Sequence, residues 1–86
     1  MAGGGRLTAR RIAKLVSLGL GPTILAMPEG SFMARDLPGP NQFGNRYMLA
    51  LRREGVIQPV RREASIIVWE RGPKYESVRR IVERMG

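Results

Sequence analysis

Arginine is the residue type in this chain that is best suited to bind a ligand. Of the 15 basic residues 13 are arginine, and with only seven acidic residues the formal net charge is +8. The guanidinium group presents a planar fork of donors that matches phosphate oxygens and the major-groove edge of guanine. Such an excess is the electrostatic footprint of a nucleic-acid binder. The plainer interpretation is a basic protein with a solvated charged face.

The sequence offers little for catalysis or for binding a metal. It contains no histidine and no cysteine, which removes the commonest general base, the thiol nucleophile and the commonest metal ligands. The carboxylates are spread along the chain without a local pair, and the glycine-rich stretches at 3–5 and 19–21 do not have the sequence of a phosphate-binding loop. We therefore predict that the protein is not an enzyme and that it uses no metal and no cofactor.

An apolar run at 15–27 raises the question of a signal sequence, because Arg10, Arg11 and Lys14 come directly before it. Two glycines and Pro22 interrupt the run, and it is shorter than the roughly 20 residues that span a bilayer. We expect no membrane partner and an intracellular, cytoplasmic protein, associated with the nucleoid if it is prokaryotic.

The elements that must position the arginines begin with two helices. The chain of 86 residues has room for one domain, which we place at 7–86 after a flexible tail at 1–6. Thr8 is expected to cap a first helix that runs to about Leu18. Pro22 opens a second helix, because proline suits the first helical turn.

The middle of the chain predicts a short helix followed by a long one. Residues 31–37 should form one or two helical turns, with an extended entry before them as an alternative. The prolines at 38 and 40 end this helix, because a residue before proline avoids the helical conformation. Asn41 is expected to cap the long helix, which continues through Glu54. Gly55 ends it, since glycine readily takes the left-handed conformation found after a helix.

A β-hairpin and a last helix complete the predicted domain. Residues 56–60 and 66–70 are predicted strands, rich in β-branched and aromatic residues, and 61–65 is the hairpin loop. Gly72 and Pro73 end the second strand, and a C-terminal helix follows over about 73–85. The predicted fold class is therefore mostly α with a small β-hairpin.

One passage, YMLALRREGVI at 47–57, gives the order of elements a family resemblance. An apolar residue, Leu51, stands four positions before Gly55, and the apolar pair Val56 and Ile57 follows the glycine at once. The chain from Phe32 to Trp69, a little under half of it, thereby resembles the winged helix-turn-helix family of DNA-binding proteins. Members of that family close a recognition helix and open the first wing strand with this pattern.

The resemblance implies about three core helices, a two-stranded wing and a C-terminal helix. It also implies a small transcription regulator, with the helix at about 41–54 in the major groove of double-stranded DNA and the wing at 60–66 on the backbone or in the minor groove. The candidates for base contact are Gln42, Asn45 and Arg46. The candidates for contact with the DNA backbone are Arg35, Arg52, Arg53, Arg61 and Arg62.

Gly44 departs from the family pattern, which often has an apolar residue at this place. Glycine inside a helix costs about 1 kcal/mol relative to alanine. Either Phe43 takes over the packing, or the helix starts late with Asn45 as its cap. The second alternative would remove Gln42 from the part of the helix that contacts bases.

The C-terminal helix and the kind of partner leave alternatives open. The apolar stripe of this helix either folds back onto the core or pairs with a second copy, and its width favours a homodimer. The stripe consists of Tyr75, Val78, Ile81, Val82 and Met85.

The kind of partner leaves two further alternatives open. An RNA-binding or ribosome-associated protein would use RNA shape, 2′-hydroxyls or loops, because the A-form major groove does not admit a helix. A third hypothesis is a winged-helix module that binds another protein.

Overall fold

Four α-helices and one antiparallel hairpin form the part of the chain that the computed structural model describes, residues 9–40 and 44–85. This agrees with the predicted fold class of helices with one small β-hairpin. The predicted tail, Thr8 and residues 41–43 lie outside the described residues, with the expected roles of Asn41, Gln42 and Phe43. The elements are α1 (Ala9–Ser17), α2 (Gly21–Leu25), a 3-10 turn (Ala34–Asp36), α3 (Asn45–Arg53), β1 (Ile57–Glu63), β2 (Ile66–Arg71) and α4 (Tyr75–Met85).

The first two helices are where the sequence predicts them. α1 buries Ile12 and Leu15 and turns its basic side chains outward, as its amphipathic pattern requires. Gly19 follows it with φ +88, a left-handed conformation that glycine adopts without steric cost. Pro22 stands in the first turn of α2, where its missing N–H is not needed.

Of the helix predicted at 31–37 only Ala34–Asp36 is helical, and an extended entry precedes it, as the alternative prediction has it. Phe32 is instead extended and exchanges two backbone hydrogen bonds with Trp69, with N···O distances of 2.9 and 2.7 Å. The Asp36 carboxylate then accepts a 2.9 Å hydrogen bond from the Met33 backbone N–H, which closes the short turn. Pairing with the distant strand thus takes the place of the first helical turn.

The long helix begins late, as one of the two alternatives proposed, and not directly after Asn41. Asn45 is its first helical residue and the extended Gly44 precedes it, so Asn45 is not the cap that one alternative proposed. At its other end the helix stops as predicted: Glu54 caps it, and Gly55 has φ +79. The chain therefore reverses directly from α3 into β1.

The hairpin has longer strands and a shorter turn than predicted. The polar residues 61–63 belong to β1, and Arg61 and Arg62 pair with Val68 and Ile67 of β2. A two-residue turn at 64–65 replaces the expected five-residue loop, with Ala64 at φ +55. Arg61 and Arg62 therefore belong to a strand and not to the hairpin loop in which the sequence places them. A ribbon of two strands that extends into solvent accepts polar side chains, so polarity here does not mark a loop.

The stripe of α4 packs against α1 and α2 of the same chain. Tyr75, Val78 and Val82 are buried, and the Tyr75 hydroxyl donates a 3.1 Å hydrogen bond to the carbonyl of Ile24. The stripe of α4 thus folds back onto the core of its own chain, as one of the two alternatives proposed. A homodimer through this helix stays a prediction, for which Ile81 and Met85 are the more accessible members of the stripe.

The described helices can be compared with the dimensions of a lipid bilayer. Within residues 9–40 and 44–85, no helix combines the length and the apolar composition that crossing a membrane requires.

Candidate nucleic-acid interface

One face of α3 is exposed along its whole length. Successive residues of a helix are rotated by about 100°, and the exposed side chains of α3 fall within one arc of about a third of a turn. Met48 and Leu51, on the opposite side, are buried in the core. Leu49 stands at the centre of the exposed arc and is 46 % exposed. The members of this exposed face are Asn45, Arg46, Leu49, Arg52 and Arg53.

A cleft of about 500 Å³, the hairpin cleft, lies along the side of α3 that faces β2 and the 3-10 turn. Three of the predicted contact residues line it, each from a different element: Arg35 from the 3-10 turn, Asn45 from α3 and Arg62 from β1. Apolar side chains, among them Met48 and Trp69, line the same cleft. The fold thus gathers charged and polar donors from three separate parts of the sequence around one depression.

The bridge between Phe32 and Trp69 explains how Arg35 and Arg62 come to share this cleft. It fixes the segment before the 3-10 turn along β2, the strand that also pairs with Arg62. Adjacent residues of a strand point to opposite faces, so Arg61 and Arg62 do not project the same way. Arg61 instead donates a 2.7 Å hydrogen bond to the carboxylate of Glu63.

A second cleft, the α1 cleft, lies on the other side of α3 and has a volume of about 370 Å³. Basic side chains of α1 and of the end of α3 line it, above apolar positions that include Leu15 and Leu18. Its basic members are Arg10, Arg11, Lys14 and Arg53. Glu54 is the acidic member, and Arg11 Nε lies 3.2 Å from its carboxylate oxygen.

Two further arginines have structural partners rather than places in either cleft. Arg71 donates a 2.6 Å hydrogen bond to the carbonyl of Met27, and its guanidinium lies 4.2 Å from the centroid of the Tyr75 ring. Arg79 is hydrogen-bonded to Glu83 at 3.1 Å, and this hydrogen bond raises the pKa of Arg79 above its ordinary value. The guanidinium groups of both arginines therefore already have partners within the same chain.

The structure separates the predicted residues into groups. Asn45, Arg46, Arg52 and Arg53 share the exposed face of α3, and Arg35 and Arg62 join Asn45 at the hairpin cleft. Gln42 lies outside the described residues. Sequence reasoning missed the α1 cleft, although the four-residue spacing of Arg10 and Lys14 places both on one face of α1. The helical pattern also turns Leu49 outward, which the structure confirms, but sequence reasoning gave this apolar residue on a polar face no role in binding.

No metal site accompanies this surface: within the described parts of the chain, no three or more histidine, cysteine or acidic side chains come close enough to hold an ion. Comparison with protein-family models, with curated proteins and with solved structures gives no match to this chain. A functional proposal therefore depends on the geometry and the charge of the surface itself.

Proposed function

We propose that the protein binds double-stranded DNA as a small winged helix-turn-helix transcription regulator, without catalytic activity and without a cofactor. The exposed face of α3 enters the major groove, and the hairpin lies against the adjacent backbone. The observation that carries this proposal is the convergence of Arg35, Asn45 and Arg62 on one cleft beside that face. Two guanidinium groups that line one cleft repel each other, so a ligand of opposite charge would stabilise the arrangement.

The dimensions of α3 suit a major groove. A helix with its side chains is about 10–12 Å across, and the groove is about 12 Å wide and admits one helix. The nine residues of α3 give about 14 Å of helix to lie in it, at 1.5 Å per residue. Asn45 and Arg46 occupy the first turn, the end that contacts base edges in helix-turn-helix proteins. Asparagine pairs with adenine, and arginine with guanine, through two hydrogen bonds each.

The remaining basic side chains are suited to the backbone. Arg52 and Arg53 lie in the last turn of α3, farther from the end that contacts bases, so we assign them to phosphates. Arg35 and Arg62, which both line the hairpin cleft, can hold one strand. Phosphate contacts of this kind fix register and carry no sequence information.

The decisive experiment is binding of duplex DNA, single-stranded DNA and structured RNA, followed by fluorescence anisotropy over a salt series. We expect a preference for the duplex and a logarithmic affinity that falls linearly with the logarithm of salt concentration. The double variants Asn45→Ala/Arg46→Ala and Arg35→Ala/Arg62→Ala should each weaken duplex binding by about tenfold or more.

The control is Arg79→Ala/Arg80→Ala on α4, at positions that are not among the described residues lining either cleft. It removes the same charge as Arg35→Ala/Arg62→Ala and should weaken binding much less. Tighter binding to structured RNA would favour an RNA-binding protein instead. No binding to any nucleic acid at low salt would sink the proposal and leave a protein-interaction module as the better account.

A further inference from the structure

We infer that the protein straddles the major groove, with the α1 cleft binding phosphates of one DNA strand and the hairpin cleft binding phosphates of the other. This inference rests on the proposed function and extends it, because it assigns a phosphate site to α1. The contact surface then includes phosphates of both strands that border the major groove.

The position of the two clefts on α3 carries the inference. The hairpin cleft reaches α3 at Asn45 and Met48, and the α1 cleft reaches it at Ala50 and Arg53. With about 100° of rotation per residue, these two pairs lie on opposite sides of Leu49, the centre of the exposed face. A helix in the major groove likewise has one phosphate backbone on each side.

The charge of the α1 cleft supports a phosphate ligand. Four cationic side chains line it against one carboxylate, and that carboxylate is already paired with Arg11. Arg10 and Lys14 are exposed and stand one helical turn apart, about 6 Å along the axis of α1. Each strand of a DNA duplex carries one negative charge per about 3.4 Å of the duplex axis, so two cations about 6 Å apart can reach different phosphates of one strand.

The pairing of Arg11 with Glu54 gives the cleft a fixed shape. The bridge joins the first turn of α1 to the residue that caps α3, and the Glu54 side chain is only 12 % exposed. This ion pair therefore links α1 to the end of α3, while Arg10 and Lys14 are exposed on the same cleft. The test leaves Arg11 and Glu54 unchanged for this reason.

The test compares Arg10→Gln/Lys14→Gln with Arg79→Gln/Arg80→Gln, which removes the same charge from α4. On a duplex selected from a random pool by the wild-type protein, we expect the α1 variant to bind about tenfold more weakly than the control. Its salt slope should fall by about 0.9 for each phosphate that the variant no longer neutralises. The weakening should be the same on duplexes of different sequence, because phosphate contacts carry no sequence information.

Hydroxyl-radical footprinting supplies a second readout. The wild-type protein should protect both strands beside the groove, and the α1 variant should leave one of the two strands unprotected. If that variant binds and protects like the control while Asn45→Ala/Arg46→Ala fails to bind, the inference is overturned and the proposed function stands. If the wild type binds no duplex at all, the proposed function itself has failed. Binding of a polyglutamate peptide that depends on Arg10 and Lys14, with duplex affinity unchanged in the α1 variant, would instead assign the cleft to an acidic protein.

Discussion

The backbones of Phe32 and Trp69 are joined by two hydrogen bonds, each residue's N–H donating to the carbonyl of the other at 2.9 and 2.7 Å. This pairing makes the segment before the 3-10 turn a third strand, one residue long, beside β2. Both side chains are buried in the core, so the contact is held by packing as well as by the backbone. It fixes the distance between the 3-10 turn and the hairpin, and with it the width of the hairpin cleft.

Removing the Phe32 ring should therefore destabilise the whole fold. We expect Phe32→Ala to lower the free energy of unfolding by about 3–5 kcal/mol, the cost of emptying an aromatic site in a core. For a domain of this size that is a large part of its stability. Urea denaturation followed by Trp69 fluorescence measures it. The exposed neighbour Ser31 provides the control, because Ser31→Ala should change stability by less than about 0.5 kcal/mol. Equal stabilities of the two variants would show that the ring is not part of a packed core.

Gly72 makes a second close approach that holds the hairpin to the end of α3. A Cβ at this position would overlap the carbonyl oxygen of Gly55 and lie 2.9 Å from the backbone nitrogen of Ile57. Backbone atoms cannot move aside as a flexible side chain does, so we expect Gly72→Ala to cost about 3 kcal/mol or more. The measurement is the midpoint of thermal unfolding by circular dichroism.

Gly30 offers the matched control for that substitution. No atom lies within 4 Å of the place its Cβ would occupy, so Gly30→Ala should leave the unfolding midpoint almost unchanged. If the Gly72→Ala and Gly30→Ala proteins have the same unfolding midpoint, Gly72 does not approach Gly55 so closely in solution.

Local patterns in the sequence predict the elements whose boundaries depend on neighbours in the chain. Gly55 ends α3 and Pro22 opens α2 as expected, because a left-handed stop and a proline in the first turn are local rules. The helix predicted at 31–37 is shorter than its sequence favours for a long-range reason, because Phe32 pairs with Trp69, far along the chain. No local window contains that partner.

The candidate site likewise has features that local sequence predicts and features that depend on long-range packing. The sequence names Arg35, Asn45 and Arg62 one by one, but their meeting at one cleft depends on packing between three elements. For Arg10 and Lys14 the sequence favours a solvated helical face, because solubility alone explains charge on an amphipathic helix. Only their position beside Arg53 in the folded chain points to a ligand.

Arg61 and Arg62 should differ in their effect on DNA binding, although the sequence assigns both to one loop. Arg62 lines the hairpin cleft, whereas Arg61 is paired with Glu63 on the exposed hairpin. We expect Arg62→Ala to weaken duplex binding about fivefold and to reduce the salt slope by about 0.9, the value of one phosphate contact. Arg61→Ala should change both by much less. The two variants remove the same charge, so each is the control for the other in one anisotropy series. Equal effects of the two substitutions would mean that the hairpin acts through net charge and not through a contact of Arg62.

Leu49 should read thymine if the exposed face of α3 enters the major groove. It is 46 % exposed at the centre of that face, and apolar side chains recognise the C5-methyl group that thymine presents there. Uracil lacks this methyl group, so replacing thymines one at a time in a selected duplex should weaken wild-type binding at one or two positions. The expected cost is about 0.8 kcal/mol, or about fourfold in Kd, for one buried methyl group.

Leu49→Ala should be insensitive to uracil at those positions, with stability changed by less than about 0.5 kcal/mol. Leu25, equally exposed at 46 % but on α2, is the matched control, and Leu25→Ala should keep the wild-type response to uracil. A wild-type protein that binds thymine and uracil duplexes equally well at every position would remove Leu49 from the contact surface.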